Sequence, residues 1–318
     1  MTTLPVARRR LLVGGGTALG LALLGACDAP APAAPWASDP TASPSTSATG
    51  SGTATASPTA SASPTASAGA STAAAAPRLV PAARLADRIE DYLERRRGTV
   101  GLELVDLRRG EVFRYDARAG ECYSTIKVLV LTTALRQAQE AGRALTEREQ
   151  RLARRMITRS DNAATETLLA QVGRDEVRRI AGLAGMAETE IDDRRWWGFW
   201  RTTPADLNRM VGAVLSSDAV LEGGRRAQAR FLLADVVPAQ RWGVFAAEDN
   251  GNPYVAGKNG WGPLPDGYRL NSTGWVVGDG RDYQLSILSR SPAGFSHGRR
   301  TISSVARICH EGIEDGLV

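Results

Sequence analysis

The run Ser124–Leu131, "STIKVLVL", constrains the fold of this chain more than any other stretch. Ser124 and Lys127 stand three residues apart, so in a helix they share a face, which Val128 and Leu131 continue. Leu129 and Val130 make that helix apolar all round, and a helix of this kind has to be covered on every side. The chain must therefore build a core around it and take Lys127 inside. Burial disfavours an ammonium and pushes the side chain towards a neutral amine. Composition makes this lysine more pointed. Of 39 basic residues only Lys127 and Lys258 are lysine. Arginine keeps its proton in a protein, whereas a desolvated lysine can act as a base. Ser124 at the helix start has free backbone N–H groups and the positive end of the helix dipole beside it, a setting for developing negative charge. By itself, however, Ser-x-x-Lys also reads as a capping serine and a snorkelling lysine.

The first 77 residues read as something other than a fold. Arg8, Arg9 and Arg10 precede a weakly polar run of 16 residues, Leu11–Ala26, short of the ~20 that span a bilayer. Residues 1–26 are expected to be an export signal. "ARRRLL" followed by "LLGAC" resembles a twin-arginine signal joined to a bacterial lipobox, which implies cleavage before Cys27 and lipid on that cysteine. From Asp28 to Pro77 the chain is almost entirely Ala, Pro, Ser and Thr, too poor in apolar bulk to order. Residues 27–77 are expected to act as a tether with a reach of roughly 40 Å as a coil. The localisation that follows is the outer face of a cell membrane, with a membrane contact made through Cys27.

Residues 78–318 are long enough for one sizeable domain. The three signal arginines carry three of the five net positive charges, and no aromatic-interleaved basic stripe is present, so nucleic acid is not an expected partner. Cys122 and Cys309 read equally as a bridge or as two buried thiols. Along the chain, "RLADRIEDYLERRRG" (Arg84–Gly98) is an amphipathic helix ending on glycine, followed by a hairpin that turns at Arg108–Gly110. Helical sequence runs from Ser124 to about Ser217, broken by "RRWWGFWRTTP". Strands return in "PYVAGKNGW", "YRLNSTGWVVG" and "DYQLSILSR", and a last helix runs from about Ser296 to Gly312. The fold class expected is α+β: an α/β sandwich with an antiparallel sheet of about five strands, helices from both chain ends and an all-α subdomain (about 121–213) inserted between.

Two further short motifs follow Ser124. "SDN" (Ser160–Asn162) opens an amphipathic helix, and "KNG" (Lys258–Gly260) lies in a strand. In this order Ser-x-x-Lys, Ser-Asp-Asn and Lys-x-Gly resemble the active-site set of class A β-lactamases and penicillin-binding proteins. "RTTPADL" (Arg201–Leu207) resembles the helix start after that family's omega loop, and the likeness extends from about residue 84 onwards. Both lysines of the chain fall in these motifs. The resemblance implies that Ser124 is acylated, that Lys127 is its base or proton relay, and that Ser160 passes a proton to the leaving nitrogen. It further implies that Lys258 lowers that hydroxyl's pKa and attracts a substrate carboxylate, and that Asn162 holds Lys127 and a substrate amide. The Ser124 and Trp261 N–H groups would form an oxyanion hole, with Asn259, Gly260 and Arg269 lining the substrate side. No cofactor or metal is implied. The expected partner is a small molecule, a β-lactam or a peptidoglycan-derived peptide, met by a monomer.

Departures from the family shape the rest of the expectation. Asn259 stands where Thr or Ser is usual, and Ser124 to Ser160 spans only 36 residues, so one wall of the cleft is expected to be missing. "IDDRRWWGFWR" (Ile191–Arg201) holds Asp192 and Asp193 but no glutamate, while Glu188 and Glu190 lie upstream of the place that "TTP" sets. In the lactamases that glutamate activates the deacylating water, so acylation with slow hydrolysis is expected. Trp196, Trp197 and Trp200 are expected to pack the shortened loop. The alternatives are a D,D-peptidase or transpeptidase-like enzyme on peptidoglycan stems and a non-catalytic wall-binding lipoprotein. A Ser-His-Asp hydrolase is disfavoured, because the only histidines are His297 and His310 and no Gly-x-Ser-x-Gly elbow occurs.

Overall fold

Both ends of the described chain feed one sheet; the computed structural model describes residues 77–314. The export signal, Cys27 and all but the last tether residue lie outside that range. The hairpin expected after the first helix forms β2 (Thr99–Asp106) and β3 (Glu111–Tyr115), and a short β1 (Arg78–Leu79) lies parallel to β3. β4 (Gly120–Glu121) and β5 (Arg201–Thr202) make a separate two-stranded pair. The three C-terminal runs form β6 (Tyr254–Leu264), β7 (Gly267–Gly278) and β8 (Arg281–Ser291). The sheet order is β1-β3-β2-β8-β7-β6, so β8 pairs with β2 and β6 is an edge strand. Five long strands are antiparallel as the sequence suggested, and the parallel β1 is an addition.

The first helix, α1 (Ala83–Leu93), is shorter than its amphipathic pattern. The sequence reading carried it to Gly98, but Arg96 leaves the helix to bond Thr301 Oγ1 at 3.0 Å and the His297 carbonyl at 2.9 Å. These bonds tie α1 to the last helix of the chain, and Gly98 closes the turn at φ 121°, a conformation glycine supplies without a Cβ penalty. Between β4 and β6 come α2 (Lys127–Glu140), α3 (Glu147–Thr158), α4 (Asn162–Val172), α5 (Arg174–Leu183), α6 (Pro204–Val211) and α7 (Gly223–Ala234), and α8 (Phe295–Gly312) ends the domain. Every residue of α2 from Lys127 to Leu135 is buried, with α3 to α7 around it. The all-round apolar helix is therefore the axis of the helical lobe.

The two faces of the sheet differ in chemistry. Val100, Leu102, Leu104, Leu270, Leu285 and Ile287 point to one side, where α1 and α8 cover them. The other side carries a polar row that runs strand to strand: Lys258 opposite Thr273, Thr273 opposite Ser286, and Ser286 opposite Glu103. The helical lobe buries this row as well. Asn208 of α6 accepts from Ser286 Oγ at 2.7 Å and donates to the Glu103 carbonyl at 2.9 Å, and Thr273 and Ser286 share a 2.7 Å bond. Buried polar groups have to be paired in this way. Cys122 and Cys309 are both free and buried.

Candidate active site

Ser124 lies in a 3-10 turn, Tyr123–Ile126, that leads straight into α2. Two neighbours and one of its own side chains fix this turn. Asn271 of β7 donates to the carbonyls of Glu121 (2.6 Å) and Cys122 (3.2 Å), the Cys122 N–H donates to the Trp200 carbonyl (2.7 Å), and Thr125 Oγ1 donates to the Cys122 carbonyl (2.6 Å). Tyr123 adopts φ 45°, an outlier for a bulky side chain and a mark of local strain at the residue before Ser124. β6 presses against the turn. A Cβ at Gly260 would stand 2.7 Å from the Ser124 nitrogen and 2.8 Å from that of Thr125, so only glycine allows this approach.

The backbone direction of β6 places a further N–H donor at its free edge. In an antiparallel strand, the N–H and C=O of alternate residues point to the same side. The Asn259 carbonyl accepts from Lys258 Nζ at 3.0 Å and the Pro263 carbonyl accepts from the Tyr123 hydroxyl at 3.3 Å, both from the free edge. Trp261, midway between, has the same parity, and its N–H therefore points to that edge. The Ser124 N–H precedes the turn's own hydrogen bonds. Both N–H groups therefore lie where β6 meets the Ser124 turn, and the Ser124 hydroxyl has no hydrogen-bond partner among the described residues.

The proton-handling groups meet at Ser160. Lys127 Nζ lies 3.1 Å from Ser160 Oγ, 2.6 Å from the Ser160 carbonyl and 2.8 Å from Asn162 Oδ1. Lys258 Nζ approaches the same Ser160 Oγ from the sheet, also at 3.1 Å. One hydroxyl therefore bridges the only two lysines. Ser160 holds φ 58°, and Asp161 caps α4 through the Ala164 N–H at 2.9 Å while Arg155 binds its other oxygen. Burial lowers Lys127 to about 7, against the opposing pull of the Asp161 and Glu166 carboxylates. Lys258 is pushed well below its ordinary value by burial and then by Lys127. Near neutral pH, Lys127 can hold or release a proton.

Two residues expected on the substrate side are placed elsewhere. Asn259 turns away from the cleft: its amide donates to the Gln240 (2.7 Å) and Trp242 (2.8 Å) carbonyls and is fully buried. The reason is strand alternation. With Lys258 directed to the site, its neighbour must face the opposite side. Arg269 shares the Lys258 face but pairs with Gly262, four residues along the ladder, and binds Asp266 (3.0 Å) and Glu121 (3.1 Å). Neither side chain is free to meet a substrate carboxylate.

The tryptophan loop closes the site with rings. Trp197 and Trp200 are buried as expected, and the Trp197 ring lies 4.9 Å from Lys127 Nζ. Trp196 differs: it is exposed, packs edge-on to Phe199 and donates to Glu166 Oε1 at 3.4 Å. Asp192 is held by Arg194 and Arg195, Asp193 by Arg178, and Glu190 meets Arg201 through the main chain. Glu166, one turn beyond Asn162 on α4, is the carboxylate that sequence reading passed over; the four-residue spacing was the available signal. His297 accepts from the Arg97 N–H and His310 shares a hydrogen bond with the Tyr283 hydroxyl, both on α8 across the sheet. Among the described residues no group of His, Cys, Asp and Glu converges as a metal site.

Residues 149–313 match the model of the beta-lactamase enzyme family. Among solved structures, that of PBP-A is similar over 76% of this chain and 99% of its own, at 19% identity and TM-score 0.65. A point mutant of PBP-A, solved as its acyl-enzyme complex with penicillin G, is similar over 76% and 99% of the two chains at 18% identity and TM-score 0.64. A class A beta-lactamase from Bacteroides cellulosilyticus is similar over 74% and 99% at 15% identity and TM-score 0.63. At these identities the structural likeness concerns the fold. No curated protein matches the chain significantly.

Proposed function

The chain belongs to the beta-lactamase enzyme family, and on that premise we propose that Ser124 forms an acyl-enzyme with β-lactams or related amides and esters and releases the acyl group slowly. The observation that carries this reading is the Ser160 hydroxyl held 3.1 Å from both Lys127 and Lys258, beside an unengaged Ser124. A neutral Lys127 takes the Ser124 proton as Oγ adds to the substrate carbonyl. The oxyanion meets the N–H groups of Ser124 and Trp261, the kind of prepared donor pair worth ~10² or more in rate. The C–N bond then breaks, and the proton passes from Lys127 through Ser160 to the leaving nitrogen. Lys258 holds that hydroxyl in place from the sheet side at 3.1 Å. Slow release rests on the loop: the Trp197 ring lies over Lys127, and Asp192 and Asp193 are bound by arginines. The same reading includes export and a lipid anchor at Cys27, proposed from the "LLGAC" motif.

The test is intact mass after mixing the protein with a labelled penicillin, alongside a chromogenic β-lactam assay. An adduct on Ser124 that persists for minutes, absent in Ser124→Ala, is the expected result. Rapid turnover would overturn slow release. A missing adduct, together with cleavage of a stem peptide ending in D-Ala-D-Ala, would favour a D,D-peptidase; with neither activity, a non-catalytic wall-binding protein would stand.

A further inference from the structure

In the loop after α5 the Trp197 ring lies over Lys127, and Asp192 and Asp193 are held by arginines. An acid reaches this corner from a different element. Glu166 lies on α4 four residues beyond Asn162, and residues so spaced share a helix face. That face is the one on which Asn162 Oδ1 meets Lys127 Nζ at 2.8 Å. Two carboxylates act on Lys127 through space, those of Asp161 and Glu166. Asp161 is already committed to its helix cap and to Arg155. Glu166 makes no ion pair among the described residues, although the chain holds 37 arginines. Its exposed carboxylate is instead oriented by Trp196, whose Nε1 donates to Oε1 at 3.4 Å.

We propose that Glu166 is the general base of the hydrolytic step, a proposal that rests on the acyl-enzyme reading above. Glu166 takes a proton from water while the water oxygen adds to the ester carbonyl on Ser124. The tetrahedral oxyanion is held by the Ser124 and Trp261 N–H groups. Collapse breaks the bond from carbon to Ser124 Oγ, and the proton returns from Glu166 by way of Lys127 to that oxygen. Ester and water become acid and free serine, with Glu166 again ionised. Solvent exposure and a single long indole bond leave this base loosely aimed, which accounts for slow release.

The experiment follows the labelled-penicillin adduct by intact mass in the full chain and in Glu166→Gln. The adduct should still form in the variant, while its lifetime lengthens by ~10² or more, the scale of general-base catalysis. Glu166→Asp, which keeps a carboxylate at this place, should regain part of the lost deacylation rate, whereas a merely structural role would not separate Asp from Gln. A Gln variant that sheds the acyl group at the wild-type rate, or that loses acylation itself, overturns the role of Glu166 and leaves the acylation reading standing. A wild type that never forms an adduct overturns the acylation reading and this proposal with it.

Discussion

Lys127 has two properties that arginine lacks: it can be neutral near pH 7, and its compact head fits between Ser160 and Asn162. The direction of its pKa shift fixes a pH dependence. Burial lowers the value to about 7, so the protonated, non-basic form dominates below that pH and the amine above it. Acylation of the wild type should rise as pH passes upward through this region, measured as the rate of adduct formation. Lys127→Arg keeps the charge and removes the lone pair, so acylation should fall by ~10² or more and the rise should vanish. Near-normal labelling of that variant would end the case for a lysine base. At this scale the sequence was legible where residue type decides. Serine, lysine and asparagine at Ser124, Lys127, Ser160, Asn162 and Lys258 announced themselves, and the fold brings Lys127, Ser160, Asn162 and Lys258 into mutual contact. Glu166 was passed over because an exposed helical glutamate looks like solvated surface. Its meaning comes only from what α2 and the tryptophan loop place beside it.

Strand β6 shows what an element adds to its residues. Side-chain alternation sends Lys258 to the site and Asn259 into the core, a consequence that period-two reasoning could have drawn from "KNG" alone. Main-chain alternation is separate, and it turns the Trp261 N–H to the free edge whatever the Trp261 ring does. Gly260 sits where the strand meets the Ser124 turn. Gly260→Ala would put a carbon against two backbone nitrogens that cannot swing aside, so the turn must shift. A displacement near 1 Å can cost ~10² in rate, and adduct formation should fall on that scale while the domain stays folded by circular dichroism. The polar row across the sheet tests stability instead. Alternation in "GLELVD" and "YQLSILS" suggests a solvated face, but α6 covers that face and pairs it. Asn208→Ala would remove a buried donor to the Glu103 carbonyl and the acceptor of the Ser286 hydroxyl, costing about 1–3 kcal/mol in urea unfolding. An unchanged midpoint would mean the network contributes no net stability.

For the whole molecule, the order of elements was readable because strands at both ends with helices between leave few ways to cover one sheet. What was not readable is how far the helical lobe reaches: α7 lies beyond the boundary set near residue 213, and the short β1 carries no periodic signal. The proposed anchor belongs to this scale too, since it concerns where a complete site is held. In the sequence, Cys27 stands before about fifty residues of Ala, Pro, Ser and Thr, and the described residues begin at the end of that run. A chain of that composition, behaving as a coil, would let the domain range roughly 40 Å from its attachment point. A single acyl chain binds a bilayer only marginally, so durable attachment needs more than one, as expected for a lipid-modified N-terminal cysteine. Cys27→Ala should therefore move the protein from the membrane fraction to the soluble one. With the proposed tether between Cys27 and the domain, the released protein should acylate at the wild-type rate. Sedimentation of the variant with membranes would locate the attachment elsewhere in the chain. A released protein that acylated more slowly would mean that the site depends on the membrane, not only on the residues that surround Ser124.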